Sequence, residues 1–416
     1  MLRTRRLATA VTRSAGVTCL TAAVCLAAAV CLAATSPASA DWPQFRGAAS
    51  DGPSVPPPSD VSGEGAVAWS VPLEGRGLSA PIVVGSRVFV TTSGGLSGER
   101  IGLIAVDTES GDRLWTRQLW ATGRTIAHQK TSNAAPTPAS DGERVFTFYS
   151  SGDAAAYDLD GNLLWYRGLG SDYPNASNSL GMSSSLIVAD GVVVCMLEND
   201  TDSLTVGLDA ATGQQAWKLD RPRAANWTSP TLLTLEGRPF VALQSSNGVT
   251  VIAPKTGRTV WEWNEGASTI PSSAAAENGL LIVPSDGLTA LRGDGSASEV
   301  VWNNSKLSPA TASPLVVGDQ VLSLNRAGVL AGANLSDGER AWQLRLSGPF
   351  SATPVAAGDL VYAVSEDGKL QVVRVSEDDA QLVSERDLGE TVLGTPAIAD
   401  GAVYVRSDDT LWKIGG

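Results

Sequence analysis

The sequence predicts an all-β protein built as one closed ring of eight four-stranded sheets, and three observations carry the prediction. A single phrase recurs eight times along the chain. A tryptophan returns with most of its copies, and the last copy stops one strand short while an unassigned strand precedes the first. Composition agrees: 416 residues with 43% hydrophobic content are too apolar for disorder, and 43 Gly with 22 Pro punctuate the chain too often for a mainly helical fold.

The phrase opens on a small residue, usually hydroxylated and usually followed by proline. Its copies are Ala80-Pro81, Thr137-Pro138, Ser184-Ser185, Ser229-Pro230, Ser272-Ser273, Ser313-Pro314, Thr353-Pro354 and Thr395-Pro396. An alternating apolar strand follows, then a Gly/Asp turn and a second strand, as in Ala399-Asp400-Gly401-Ala402-Val403-Tyr404-Val405, which has the composition of a β-hairpin. The second half carries a turn that runs into tryptophan: Asp107-Thr108-Glu109-Ser110-Gly111 before Trp115, Asp158-Leu159-Asp160-Gly161 before Trp165, and Asp209-Ala210-Ala211-Thr212-Gly213 before Trp217. Asp opens such turns by accepting from the backbone two residues on, and Gly takes the positive φ that reverses the chain.

Trp115, Trp165, Trp217, Trp261, Trp302 and Trp342 are spaced by 50, 52, 44, 41 and 40 residues, room for one four-stranded blade each. A lone blade cannot cover its faces; stacking blades around an axis does, and a large ring at the same place in each fills the gap between neighbours. The eighth copy ends after Thr410-Leu411-Trp412-Lys413-Ile414, with three strands. Residues 65–73, which carry Trp69, are read as its fourth strand. Pairing there closes an eight-bladed β-propeller over residues 63–416 and removes the open edges that template aggregation.

Ahead of the ring stand two segments. Residues 1–40 read as a secretory signal peptide, because Arg3, Arg5, Arg6 and Arg13 precede an apolar stretch that ends in Ser36-Pro37-Ala38-Ser39-Ala40. Residues 41–62, with Pro53, Pro56, Pro57 and Pro58, read as an arm outside the blades. Of the four cysteines only Cys195 lies beyond the signal, in the apolar run Val192-Val193-Val194-Cys195-Met196-Leu197, so no intramolecular disulfide is expected and Cys195 reads as core filler. The chain's net charge is −13, and the signal contributes four Arg and no acid, so the remainder is more acidic still. That balance excludes nucleic acid as a partner, and no further apolar run approaches the length of a membrane span. The expectation is a monomeric protein, periplasmic or secreted.

The Ser/Thr-Pro anchors, the D-x-x-T-G-x-x-x-W phrase and the eightfold count resemble the PQQ-like, quinoprotein-type β-propeller repeat. The opening Asp41-Trp42-Pro43-Gln44-Phe45-Arg46-Gly47, with Asp51-Gly52 shortly after, is similar to the start of secreted bacterial PQQ-like propellers described by analogy with BamB, an outer-membrane assembly scaffold. The resemblance implies an exported, non-catalytic binding or scaffold protein. Its rival is a periplasmic PQQ-dependent oxidoreductase. Quinoprotein dehydrogenases of that kind are longer and hold the quinone beneath a vicinal disulfide, with Ca²⁺ and an Asp base; this chain has no Cys-Cys pair, and no cofactor residue of that family maps onto it. The expectation is therefore no cofactor and no metal. The lipidation cysteine of BamB proper has no counterpart here either, since Thr18, Val24 and Val30 precede Cys19, Cys25 and Cys31 where a lipoprotein site needs a small residue.

His128 is the only histidine, so neither a hydrolase triad nor a His-based metal cage can be assembled, and G-x-S-x-G, Walker and H-E-x-x-H motifs do not occur. No catalytic residue is assigned. What departs from the repeat are the connections leading into the anchors, which in a propeller lie on one face around the central channel. Residues 119–135 hold Arg124, His128, Lys130 and Asn133; residues 170–182 hold Asn178; shorter connections hold Arg76, Arg221, Arg223 and Trp227. In an acidic protein these cations and amides read as a patch for a protein partner or a small polar or anionic ligand, with Trp227 as a stacking or lid residue.

Overall fold

The computed structural model of the protein describes residues 41–47, 55–176, 180–293 and 295–416. The signal-peptide reading of residues 1–40 and the site assignment of Asn178 lie outside them. Among the described residues eight antiparallel four-stranded sheets form a ring. In the first blade Ile82–Val84, Arg87–Gly94, Arg100–Asp107 and Arg113–Trp120 pair in chain order, and the next six blades repeat that order. The eighth takes Ala397–Ala399, Ala402–Arg406 and Thr410–Gly415 from the end of the chain, and Val67–Pro72 completes it, in a register running from Val67 opposite Ile414 to Pro72 opposite Thr410. The ring is thus closed by the N-terminal strand, as the missing fourth strand predicts.

The hydrophobic patterning follows from position in the blade. The second and third strands are covered by neighbouring blades on both faces and are buried almost without interruption, as in Val192–Leu197, where Cys195 is fully enclosed and burial pushes its thiol far up. The outermost strands alternate, as in Arg113–Trp120, because one face meets water.

Each outermost strand carries one β-bulge at the same register, just before the repeat tryptophan or, in the seventh blade, before Ser384: the pairing Ala105 to Trp115 is followed by Val106 to Arg113, and Gly207 to Trp217 by Leu208 to Gln215. A bulge re-aims a side chain. Here it turns the indole onto the turn of the following blade. Trp165 donates to the Ala210 carbonyl at 3.0 Å and Trp217 to Pro254 at 2.8 Å. The rings lie flat on the turn glycines: a Cβ at Gly213 would stand 2.7 Å from Trp165, and one at Gly257 2.6 Å from Trp217. Both glycines also have positive φ, so the D-x-x-T-G phrase and the tryptophan are two halves of one inter-blade contact. Trp69 makes the same contact across the closure, donating to Thr108 at 3.0 Å.

The anchors have a second role. Their backbone N–H groups donate to the hydroxyl of the next blade's anchor: Ala80 to Thr137 at 2.9 Å, Thr137 to Ser185 at 3.1 Å, and onward to Thr353, which donates to Thr395 at 3.0 Å. In the third copy the linking hydroxyl is Ser185, one place later than the Ser184-Ser185 pairing with Ser/Thr-Pro suggests, because Ser185 stands one residue short of the strand Ile187–Ala189, as Thr137 and Ser229 stand one residue short of theirs. This belt explains the hydroxyl preference that composition alone leaves unexplained. Only the first blade breaks it, since Ala80 has no hydroxyl to offer.

The arm does two jobs outside the sheets. Residues 41–47 enter the channel: Trp42 exchanges main-chain hydrogen bonds with Val83 at 2.9 and 3.0 Å, Pro43 accepts from Ser140 N–H at 2.8 Å, and Arg46 reaches across to the Ser273 carbonyl at 2.7 Å. Residues 55–62 lie against the seventh and eighth blades, where Tyr362 donates to the Pro57 and Pro58 carbonyls.

Candidate functional site

The inner strands leave the anchor belt at one mouth of the channel and run toward the arm at the other. All eight anchor positions line a single axial cavity of about 440 Å³ at the first mouth. Phe45 of the arm lines this cavity and a second one beyond it, so its ring partitions the channel. The walls are the belt hydroxyls. Each accepts one backbone N–H, which leaves its own proton to donate.

Above the belt the mouth is rimmed by apolar side chains from separate connections: Leu78, Leu180, Trp227, Ile270 and Leu393. Leu180 and Ile270 are 45% and 48% exposed although they face a cavity, an arrangement that leaves apolar area available for contact. Trp227 is held half-buried by donating to the Gly181 carbonyl at 2.8 Å, while its N–H donates to Thr269, so it ties the connections that precede the third, fourth and fifth blades.

Residues 121–135 cross part of this mouth. His128 N–H donates to the Leu180 carbonyl at 2.8 Å, and the His128 Nδ1 accepts from Lys130 N–H at 3.1 Å. Lys130 Nζ then reaches Glu366 of the seventh blade at 2.8 Å. Burial raises the Glu366 carboxyl, but hydrogen bonds from Lys130 and Ser351 and the Lys130 charge outweigh it and hold the group below its ordinary value.

Of the residues assigned from sequence, the structure therefore brings His128, Lys130 and Trp227 together on the cavity. The others stand elsewhere. Arg76 pairs with Asp408 at 3.0 Å and donates to the Gln129 carbonyl, outside the cavity lining. Arg124 is exposed and outside the cavity lining, and Arg223, 72% exposed, meets Asp202 at 3.4 Å, a contact worth little in water. Asn133 is buried, donating to Gly98 and accepting from Ser151, so it shapes the connection. Arg221 is likewise buried against Glu198 at 2.6 Å, with Thr250 and the Leu243 carbonyl taking its remaining donors. Of these cations Arg76, Lys130, Arg221 and Arg223 are paired with carboxylates, and Arg124 is exposed.

The residues that sequence reasoning passed over are Phe45, Leu180, Ile270 and Leu393. Phe45 belongs to a motif that occurs once, and the rest come from connections with no common period, so only a chain tracing that places the anchors on one axis brings them together.

These features define a class: a ring-closed β-propeller with a belt of hydroxyls around its axis, a plugged channel and one elaborated loop face. Its membership follows from comparison with known proteins. The family model described as outer membrane protein assembly factor BamB matches residues 62–185, 175–270, 263–383 and 346–415, and the chain belongs to that family. The outer membrane protein assembly factor BamB of Moranella endobia (strain PCIT) is 27% identical over 171 residues, 41% of this chain and 40% of that relative, so the match spans less than half of either. Among solved structures, BamB from Moraxella catarrhalis superposes with a TM-score of 0.59 at 16% identity, covering 84% of this chain and 97% of that one. The quinohemoprotein alcohol dehydrogenase of Comamonas testosteroni reaches 0.66 at 14% identity, covering 90% and 80%. At such identities both likenesses establish the fold alone.

Proposed function

We propose that this protein is a non-catalytic scaffold of the cell envelope that presents the loop face around its axial cavity to a protein partner, as a monomer. The observation that carries the reading is the half-exposed apolar rim, set on the one face that departs from the repeat, in a chain of the BamB family. Protein contacts favour such a patch, an apolar centre with charges at its edge, and Lys130 on the cavity and Arg76, bonded to the neighbouring Gln129 carbonyl, supply such charges.

The oxidoreductase reading has less support. A quinone carrying several carboxylates, held with a hard cation, requires converging acids and free cations. Among the described residues no three His, Cys, Asp or Glu side chains converge, and Lys130 on the cavity is already paired with Glu366. The donor set at the cavity does not fit that cofactor.

The test uses the immobilised protein and an envelope extract, with a Leu180→Asp/Ile270→Asp variant beside it. The expected result is one envelope protein retained by the wild type and lost, about tenfold or more, by the variant. Equal retention by the two would remove the rim from the reading. Stoichiometric heat on calorimetric titration of PQQ with Ca²⁺ would replace the scaffold by the oxidoreductase.

A further inference from the structure

The opposite end of the channel holds a second cavity, of about 310 Å³, beyond Phe45. It is lined by Trp42, Gln44, Phe45 and Arg46 of the arm, by Ile187 of the third blade, by the inner strands of the fourth to seventh blades, and by Glu277, whose exposed side chain belongs to the fifth blade. We infer that this cavity is a binding site for a short extended peptide with a free C-terminal carboxylate, the carboxylate meeting Arg46 and the peptide backbone pairing with an inner strand.

Two features of the cavity point to that ligand. The first is charge. Arg46 Nη2 donates to the Ser273 carbonyl at 2.7 Å and to Thr231 at 3.3 Å, both neutral acceptors, and among the described residues no carboxylate lies within ion-pair distance of it. Burial lowers its pKa to about 10. Trp42 lines the same cavity, and its indole N–H is buried with no acceptor among the described residues. Guanidinium and indole only donate, so the group that complements this end of the cavity is an acceptor, and a planar carboxylate fits a guanidinium in bidentate fashion.

The second feature is the backbone. Leu315–Val317 and Val355–Ala357 are edge strands of their sheets, hydrogen-bonded on one side only among the described residues, and both line the cavity. An unpaired edge of three residues accepts a tripeptide by strand addition. The molecule already uses this mode in the same channel: Trp42 is bridged to the inner strand of the first blade at Val83, and Pro43 accepts from the second. The fourth to seventh blades offer the equivalent edges without such a partner from residues 41–47, apart from the Arg46 contacts. Leu232, Leu315 and Val316 make the side walls apolar, which selects small aliphatic side chains.

Titration of the purified protein with N-acetyl-Ala-Val-Val as the free acid, its C-terminal amide, and acetate tests the assignment. The free acid is expected to bind about tenfold or more tightly than the amide and than acetate, and Arg46→Gln is expected to abolish that preference. Should Arg46→Gln fail to fold, the acid and amide on the wild-type protein decide alone. No binding at millimolar peptide, equal binding of acid and amide, or an acid preference that survives Arg46→Gln would each overturn the site. Acetate as tight as the peptide would reduce it to an anion contact and overturn the peptide assignment. The loop-face variant Leu180→Asp/Ile270→Asp is expected to bind the peptide normally, so the two proposals fail separately.

Discussion

Seven seams between neighbouring blades are closed by a tryptophan laid on the next blade, and the seam between the seventh and eighth is closed by chain from ahead of the ring. Trp69, Trp115, Trp165, Trp217, Trp261, Trp302 and Trp342 serve the seven, with local variation: Trp342 donates to Gln320, whose amide passes the contact on to the Glu377 carbonyl where the seventh blade's turn lacks glycine. In the seventh blade the residue at the tryptophan register is Ser384, opposite Val372. The eighth blade has no turn for an indole to rest on, because its two outer strands, Thr410–Gly415 and Val67–Pro72, are not consecutive in the chain. Residues 55–62 fill the place: Val61, fully buried, donates its N–H to Ser384 Oγ at 3.0 Å, and Arg386 takes the Val61 and Gly63 carbonyls. A repeated contact needs a repeated surface. Where ring closure removes the surface, a segment used once replaces it.

Two changes should separate the closure from the seams. Deleting residues 65–73 removes the outer strand of the eighth blade together with Trp69, leaving Thr410–Gly415 as an open edge. The expected outcome is loss of soluble protein, measured as the soluble fraction after expression, and a soluble product with an unchanged melting point would show that the strand does not close the ring. Trp217→Ala leaves closure intact and empties one seam. It is expected to cost about 3–5 kcal/mol in urea unfolding, the range for truncating a buried large aromatic. A neutral result would reopen a ligand role for the repeat tryptophans.

These two kinds of seam also explain what is legible in the sequence. Trp115, Trp165 and Trp217 do one job at one register, so the job repeats after 50 and 52 residues and shows as a pattern in the order of the residues alone. The hydroxyl belt is visible in the same way, although its reason, a backbone donor from the preceding blade, is not. The arm is legible only as proline-rich, because Val61 and Tyr362 are 301 residues apart in sequence and nothing in either announces the other. The site suffers most. Arg221 and Asn133 look from sequence like free donors; their partners Glu198, Gly98 and Ser151 come from other strands and turns, and satisfaction of a polar group is a property of the fold. Leu180 and Ile270 carry no sign of exposure in their sequence, yet half-exposed they define the mouth.

A smaller change addresses the arm seam by itself. Ser384 Oγ accepts from Val61 and donates to Asp60 at 3.0 Å. Ser384→Ala removes both bonds without opening the packing around Val61, and it is expected to cost about 1 kcal/mol. Measured beside Trp217→Ala, it sharpens the comparison: a loss as large as that of the tryptophan would mean that the hydroxyl carries the seam, whereas the expected small loss assigns the seam to the burial of Val61 and the prolines.

Acid should act on both kinds of seam in one window, and least of all. On the tryptophan side, a backbone hydrogen bond from Ser110 chiefly lowers Asp107, bonding to the Asn162 side chain lowers Asp158, and bonding to the Thr212 side chain lowers Asp209. On the arm side, the Ser62 hydroxyl, then its N–H and the Ser384 hydroxyl, lower Asp60. A carboxyl depressed in the folded state contributes stability that is in place above its unfolded value and is lost as pH falls through the folded one. The ordinary value is 3.8 for each, so stability should hold from neutral pH down to about 5 and decline only below about 4. Asp60 is exposed and Asp107, Asp158 and Asp209 are half-buried at surface turns, and solvent screening keeps each contribution small. Melting curves between pH 3 and 7 provide the measurement. Asp60→Asn should flatten the acid limb slightly while leaving the tryptophan turns their own share, and the triple replacement of Asp107, Asp158 and Asp209 by Asn should flatten it further. An acid limb that neither variant changes would place the proton uptake outside the seams altogether.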